Sequence, residues 1–132
     1  MSFVVDTDVV SFTFKRDTRA ELYRLHLNNP PYFISFMTLA EMRRWALGRN
    51  WGATRREELE EYLSTFIVVF ADDDLCSLWA EAINSAKQNG KPVDTADAWV
   101  AAAALLLNIP LVTHNRTHFE GIDGLTIISE TK

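Results

Sequence analysis

The segment "DTADAWVAAAALLLN", residues 94–108, restricts the fold more than any other part of this chain. Within it, "AWVAAAALLL" at 98–107 is unbroken and apolar. That is about half of the ~20 residues needed to span a bilayer. A helix apolar on every side has to be covered on every side, so this stretch reads as a buried helix rather than a membrane segment. The chain has the material to cover it: 132 residues, 48% of them hydrophobic, suffice for one core. Residues 1–132 are expected to form a single domain.

Around that helix, short apolar runs alternate with longer amphipathic stretches. "SFVV" (2–5), "YFISF" (32–36), "FIVVF" (66–70), "IPLVTHN" (109–115) and "LTIIS" (125–129) read as strands. Helices are expected over "RAELYRLHLNN", capped by Asp17 or Thr18 and ended by Pro30 and Pro31, and over "TRREELEEYLST". Another is expected over "TLAEMRRWALGR", where Thr38 and Glu41 have capping-box spacing. "DDDLCSLWAEAINSAKQNG" has acids at its start and Gly90 at its end, the polarity that suits a helix dipole. Strand–helix alternation with short connections predicts an α/β fold with a largely parallel sheet covered on both faces.

Charge and cysteine usage exclude some functions. A net charge of −5 argues against a general nucleic-acid coat protein. It does not oppose an enzyme that holds nucleic acid through local arginines and a metal ion. The one cysteine, Cys76, excludes an internal disulfide framework and is expected to be a small core residue. The chain shows no basic leader before an apolar core, which predicts a cytoplasmic protein without a membrane anchor.

Polar residues stand at recurrent places in this pattern. Asp6 is expected where the first strand ends, and Asn115 just past "LVTH". Glu41 lies shortly after the second strand, and Asp94 and Asp97 share a face at the start of the apolar helix. In open parallel sheets, ligands collect beyond the carboxyl ends of the strands. Each acid alone is most simply a helix cap. Asp6 and Asp97 are less easily explained so, because apolar residues surround them. Several carboxylates in one pocket raise each other's pKa unless a cation neutralises them. Hard oxygen ligands favour Mg2+ or Mn2+, and His and Cys are too few and scattered for a zinc site.

Three stretches, "VVDTDVV", "SFMTLAEMRRWALG" and "DTADAWVAAAALLLNIPLVTHNRTHF", in that order, resemble PIN-domain ribonucleases of the VapC toxin type. The resemblance implies a PIN-like three-layer α/β/α sandwich with a central, mainly parallel sheet. It also implies a metal-dependent endoribonuclease that acts on RNA, is dimeric, and is inhibited by a cognate antitoxin protein. Carried over by position, Asp6, Glu41 and Asp97 are metal ligands, and Asn115 completes the catalytic set. Thr7, Asp94 and Thr113 would support these groups, and Arg43, Arg44 and Arg49 would grip the RNA backbone, with Arg55 and Arg56 further candidates. Two positions depart from the pattern. Asn115 stands where an acid is common and supplies no charge, and His118 replaces a further acid. His114 or His118 would then contact phosphate or be plain surface. Asp8 is expected to cap a following helix or sit at the rim of the site. Trp45, Trp51 and Trp79 would line a groove for the antitoxin or belong to the core or a dimer interface.

Two other functions compete. Asn115 would also permit a PIN-like binding module with weak or no catalysis. A haloacid-dehalogenase-type phosphatase shares the Asp6–Thr7–Asp8 opening, but Val10 stands where that class needs threonine.

Overall fold

The computed structural model describes residues 2–131. Five strands form one parallel sheet: β1 (Val4–Val5), β2 (Phe33–Ser35), β3 (Ile67–Val69), β4 (Leu111–Val112) and β5 (Ile127–Ile128), in the order β3-β2-β1-β4-β5. Each strand is shorter than the apolar run that contains it. Every neighbouring pair is parallel, so the connections must cross over, and helices do the crossing.

The period-two geometry of a strand decides which residue faces which layer. Val4, Val69 and Leu111 join one cluster, and Val5, Ile34 and Val112 join the other. The first cluster is closed by α4 (Asp73–Gln88) and α5 (Thr95–Leu107). The second is closed by α1 (Thr7–Lys15), α2 (Phe36–Gly48) and α3 (Ala53–Leu63). These are the three expected layers. The apolar helix α5 is buried as its composition requires: Ala98 and Val100 to Ala104 are all at most 1% exposed. Its alanines let the sheet on one side and α4 on the other approach closely. No helix among the described residues is long and apolar enough to cross a membrane.

A helix does follow Asp8: "TDVVSFTFK" forms α1, although its β-branched and aromatic residues suit a strand, and its N-cap is Asp6. Three expectations need correction. The helix expected over residues 19–29 is a 3-10 helix, Thr18–Tyr23, capped by Asp17. Thr38 and Glu41 form no capping box. Helix α2 starts at Phe36, capped by Ser35, whose hydroxyl accepts from Met37 N at 3.0 Å, so Thr38 lies inside the helix and is fully buried. Cys76 is exposed on α4, one residue past the buried Leu75.

Candidate active site

The central strands β1 and β4 end side by side. Asp6 N donates to Val112 O at 2.9 Å and Thr113 N to Ile128 O at 3.0 Å. Both residues therefore leave the sheet at one level, beyond its carboxyl edge. Here Asp6 is the N-cap of α1, and its Oδ1 accepts from Thr7 N at 2.8 Å. Thr113 Oγ1 donates to Asp6 Oδ2 at 2.7 Å and itself accepts from Asn115 N at 3.0 Å. Asp6 is 5% exposed and Thr113 is fully buried.

Glu41 reaches the same place from α2. Its Oε1 accepts from Thr7 Oγ1 at 2.8 Å, and Thr7 Oγ1 is 2.9 Å from Thr38 Oγ1. A hydroxyl has one proton. Thr7 gives its proton to Glu41, so Thr38 donates to Thr7. This chain of hydroxyls explains why a threonine is buried inside α2.

Asp97 arrives from the first turn of α5, with His118 Nδ1 3.3 Å from its Oδ2. Asp94 is the N-cap residue of α5 but makes no side-chain capping bond. Asp8 accepts from Val9 N at 2.7 Å, and its Oδ2 accepts from His114 N and Asn115 Nδ2, both at 3.0 Å. The NH2 of Asn115 is thus turned to Asp8, which leaves its amide oxygen as the atom able to serve a cation.

A cavity of about 400 Å3 joins these groups. Its lining includes Asp6, Thr7, Asp8, Glu41, Asp94, Asp97, Asn115 and His118. Four segments far apart in sequence meet here, and three of them, at α1, α2 and α5, bring the expected acids together. Thr113 stands behind the cavity wall, as a support for Asp6 rather than part of the lining. Three of these acids have their charged forms disfavoured. Burial, and then the neighbouring Asp8, push Asp6 well above the usual carboxylate range, against the hydrogen bonds that favour its charged form. Burial also raises Asp8. It raises Asp97 too, with Asp94 and Glu41 adding repulsion and His118 opposing it.

The donors suit a hard divalent cation, since they are carboxylate and amide oxygens crowded at the cost of their own ionisation. Among the described residues no trio of Asp, Glu, His or Cys side chains is already drawn in around one ion. Thr113 and Thr7 hold Asp6, Thr7 holds Glu41, and His118 sits on Asp97.

Other candidates fall outside. Arg43 is turned away to Glu60, with its Nη2 2.7 Å from Oε1. Arg44 and Arg49 line a neighbouring cavity of about 380 Å3 with Glu41, Trp45 and Gly48. The ring of His114 is not part of the cavity lining: its Nδ1 is 2.6 Å from Tyr23 Oη, and the ring meets Phe12 edge-on. Trp45 and Trp51 pack together with ring centroids 4.8 Å apart, and Trp79 stacks on Trp99 at 5.1 Å. Ser11, Lys15, Met42 and Trp45 line the acid cavity and were not anticipated there. Asp8, Ser11 and Lys15 are spaced i, i+3, i+7, one face of a helix, so the extent of α1 is the signal that would have found Ser11 and Lys15.

Comparison with known proteins bears on the family and the fold. The PIN domain family model matches residues 3–125. "Ribonuclease VapC1" of Haemophilus influenzae (strain R2866) is 28% identical over 127 residues, 95% of each chain. A crystal structure of VapBC2 from Rickettsia felis bound to a DNA fragment from their promoter contains a chain with TM-score 0.82 at 21% identity, covering 98% of both chains. A toxin-antitoxin complex from Klebsiella pneumoniae has one at 0.78 and 22%, covering 96% of both. The family match spans nearly the whole chain, every cavity acid included, and on that ground the chain belongs to the PIN domain family.

Proposed function

We propose that this protein is a metal-dependent endoribonuclease that hydrolyses RNA phosphodiester bonds, the cytoplasmic toxin of a toxin–antitoxin pair. The observation that carries the reading is the convergence of Asp6, Glu41 and Asp97 on one cavity at the carboxyl edge of the sheet. The ribonuclease name of the Haemophilus relative supports it.

In this reading Asp6, Glu41 and Asp97 hold Mg2+ or Mn2+, with Asn115 and Asp94 assisting through water. A divalent ion there supplies charge neutralisation, a more acidic water and stabilisation of the leaving oxygen. The protein does the rest. Thr113 and the Thr7 amide fix both oxygens of Asp6, so its carboxylate cannot swing. Thr7 turns Glu41 inward. Asp8 pins Asn115 through its NH2 and directs the amide oxygen to the cavity. His118, half-exposed beside Asp97, is placed to donate to a phosphate oxygen of the bound strand.

A protein partner and a homodimer belong to the same reading. Leu22, Leu25, Leu47, Ile67 and Phe70 are large apolar side chains left exposed, and such surface favours protein contacts. The Klebsiella neighbour is itself part of a toxin-antitoxin complex. The test is cleavage of labelled RNA by wild type, Asp6→Asn and Asp97→Asn, each with Mn2+ and with EDTA. Cleavage only by wild type and only with metal supports the proposal. Equal cleavage in every case would reject it.

A further inference from the structure

The turn that follows β4 carries much of the site. Thr113 Oγ1 holds Asp6, while His114 N and Asn115 Nδ2 both hold Asp8. Whatever fixes residues 113–115 therefore fixes two acids and the Asn115 amide. Tyr23, which is outside the cavity lining, grips that turn at two points. It ends the 3-10 helix Thr18–Tyr23 and is fully buried, although Leu22 before it is exposed. Its Oη is 3.3 Å from Thr113 O, 2.6 Å from His114 Nδ1 and 3.1 Å from Glu130 N. Thr113 and His114 lie 90 and 91 residues further along the chain, so no local preference of the 3-10 helix explains the arrangement. Glu130 is fastened a second time by its side chain, with Oε1 2.6 Å from His26 Nε2.

Counting protons assigns the role of each bond. A tyrosine hydroxyl has one proton and two lone pairs. Thr113 O can only accept, and Glu130 N can only donate. The proton therefore goes to Thr113 and one lone pair to Glu130, which leaves the second lone pair for His114. Only an N–H can meet a lone pair, so His114 carries a proton on Nδ1. Burial raises the pKa of the Tyr23 hydroxyl, so it keeps its own proton in neutral solution. The His114 ring sits edge-on to Phe12 at 5.4 Å and to Tyr23 at 5.7 Å, and these contacts fix its plane.

We propose that Tyr23 is a positioning residue of the active site: through the Thr113 carbonyl and the Nδ1–H of His114 it fixes the turn that sets Asp6, Asp8 and Asn115 at the cavity. The proposal rests on the nuclease reading above. Tyr23 acts without touching ion or substrate, as the groups behind a ligand do when they hold it in the geometry an ion needs. A tyrosine buried only for the sake of the fold would make the same bonds. Readouts that stability alone does not move separate the two roles.

The experiment uses the full chain, well below its melting temperature. In metal-free wild type, long-range 1H–15N NMR of the His114 ring in alkaline solution should show the Nδ1–H tautomer. The Nε2–H tautomer would mean that the hydroxyl spends its proton on His114 and releases Thr113, which overturns the two-point grip. Tyr23→Phe keeps the ring and removes Oη. His114→Phe, at a half-buried position, keeps the edge-on packing and removes Nδ1, so it serves even if Tyr23→Phe does not fold. Each should weaken Mn2+ binding, read by electron paramagnetic resonance, and lower kcat, Tyr23→Phe by about tenfold. The KM for RNA should stay within about twofold of wild type. Both variants act through one hydroxyl, so the double variant should lose no more than Tyr23→Phe alone, and losses that multiply would overturn the shared role. Asp72→Ala uncaps α4 away from the cavity lining and should keep wild-type Mn2+ binding and kcat. If it loses as much as Tyr23→Phe, the effect is one of stability and the proposal fails. If wild type binds Mn2+ and cleaves RNA while the Tyr23 and His114 variants do so equally well, only the positioning role fails. If wild type does neither, the nuclease reading fails and the positioning role with it.

Discussion

Removal of one hydroxyl, in Thr113→Val, should weaken the fold through the site. Thr113 Oγ1 is the only side-chain group among the described residues that donates to Asp6 Oδ2, at 2.7 Å, and both residues are buried. Valine nearly keeps the shape and loses the donor. A hydrogen bond to a charged group is worth about 1.5–3 kcal/mol. The second partner, Asn115 N, loses its acceptor, but Asn115 is exposed and water can replace the contact at little cost. The expected loss is about 2–3 kcal/mol, a fall in Tm of about 10 °C for a chain of this size. The loss should also depend on pH. Thr113 favours the charged form of Asp6, against burial and Asp8. Without it the carboxyl rises further, so the deficit is largest at alkaline pH and shrinks as Asp6 becomes protonated. Urea unfolding of the metal-free protein across that range measures both features. A loss below about 0.5 kcal/mol at alkaline pH, or one that does not change with pH, would refute this account of how Asp6 is held.

Three further outcomes follow from the same geometry. Burial raises Asp6, Asp8 and Asp97 above 3.8, the ordinary carboxylate value of an unfolded chain, and repulsion adds to the rise at Asp6 and Asp97. Their contribution to stability is therefore complete below that value and is lost as pH rises through the raised pKa values, so the Tm in EDTA should fall from about pH 4 toward pH 8. Added Mn2+ should reverse the fall most at the alkaline end, and a Tm in EDTA that climbs with pH would contradict the crowding of these acids. Gly121→Ala should cost about 1–3 kcal/mol, because its Cβ would meet the Lys91 carbonyl at 2.4 Å, and unchanged denaturant unfolding would show that this loop yields freely. Asp72→Ala should cost about 1 kcal/mol by removing the cap of α4, where Oδ1 accepts from Leu75 N at 2.8 Å; a thermal shift within error would count against the cap.

The layers were legible in the sequence because strand and helix leave different periods. Val4 and Val5 alternate between the two faces, as do Leu111 and Val112, and the alanines of α5 announce a helix covered on all sides. The positions of Asp6, Glu41 and Asp97 were legible because parallel sheets gather ligands at one edge. Their contacts were not. Helix α1 is written in residues that favour strands, and tertiary burial of Val9, Val10 and Phe12 overrides that preference. A helix after Asp8 was expected but not its extent, so Asp8, Ser11 and Lys15 were not put on one face. Thr38 looked like a cap because capping spacing is local, whereas its partner, Thr7, lies 31 residues away. Cys76 was misjudged because its small apolar side chain does not say which face of a helix it takes, and it is exposed on α4.

Binding of Mn2+ followed by electron paramagnetic resonance tests the central claim most directly, because it reads the ion and not the chemistry that follows. Wild type should bind Mn2+, and Asp6→Asn and Asp97→Asn should each weaken that binding while remaining folded, since both amides relieve the repulsion in the metal-free cavity. Wild type that takes up no Mn2+ at millimolar metal, or binds it equally well after both substitutions, would contradict the assignment of this cavity as a metal-dependent active site and favour a PIN domain that binds without catalysis.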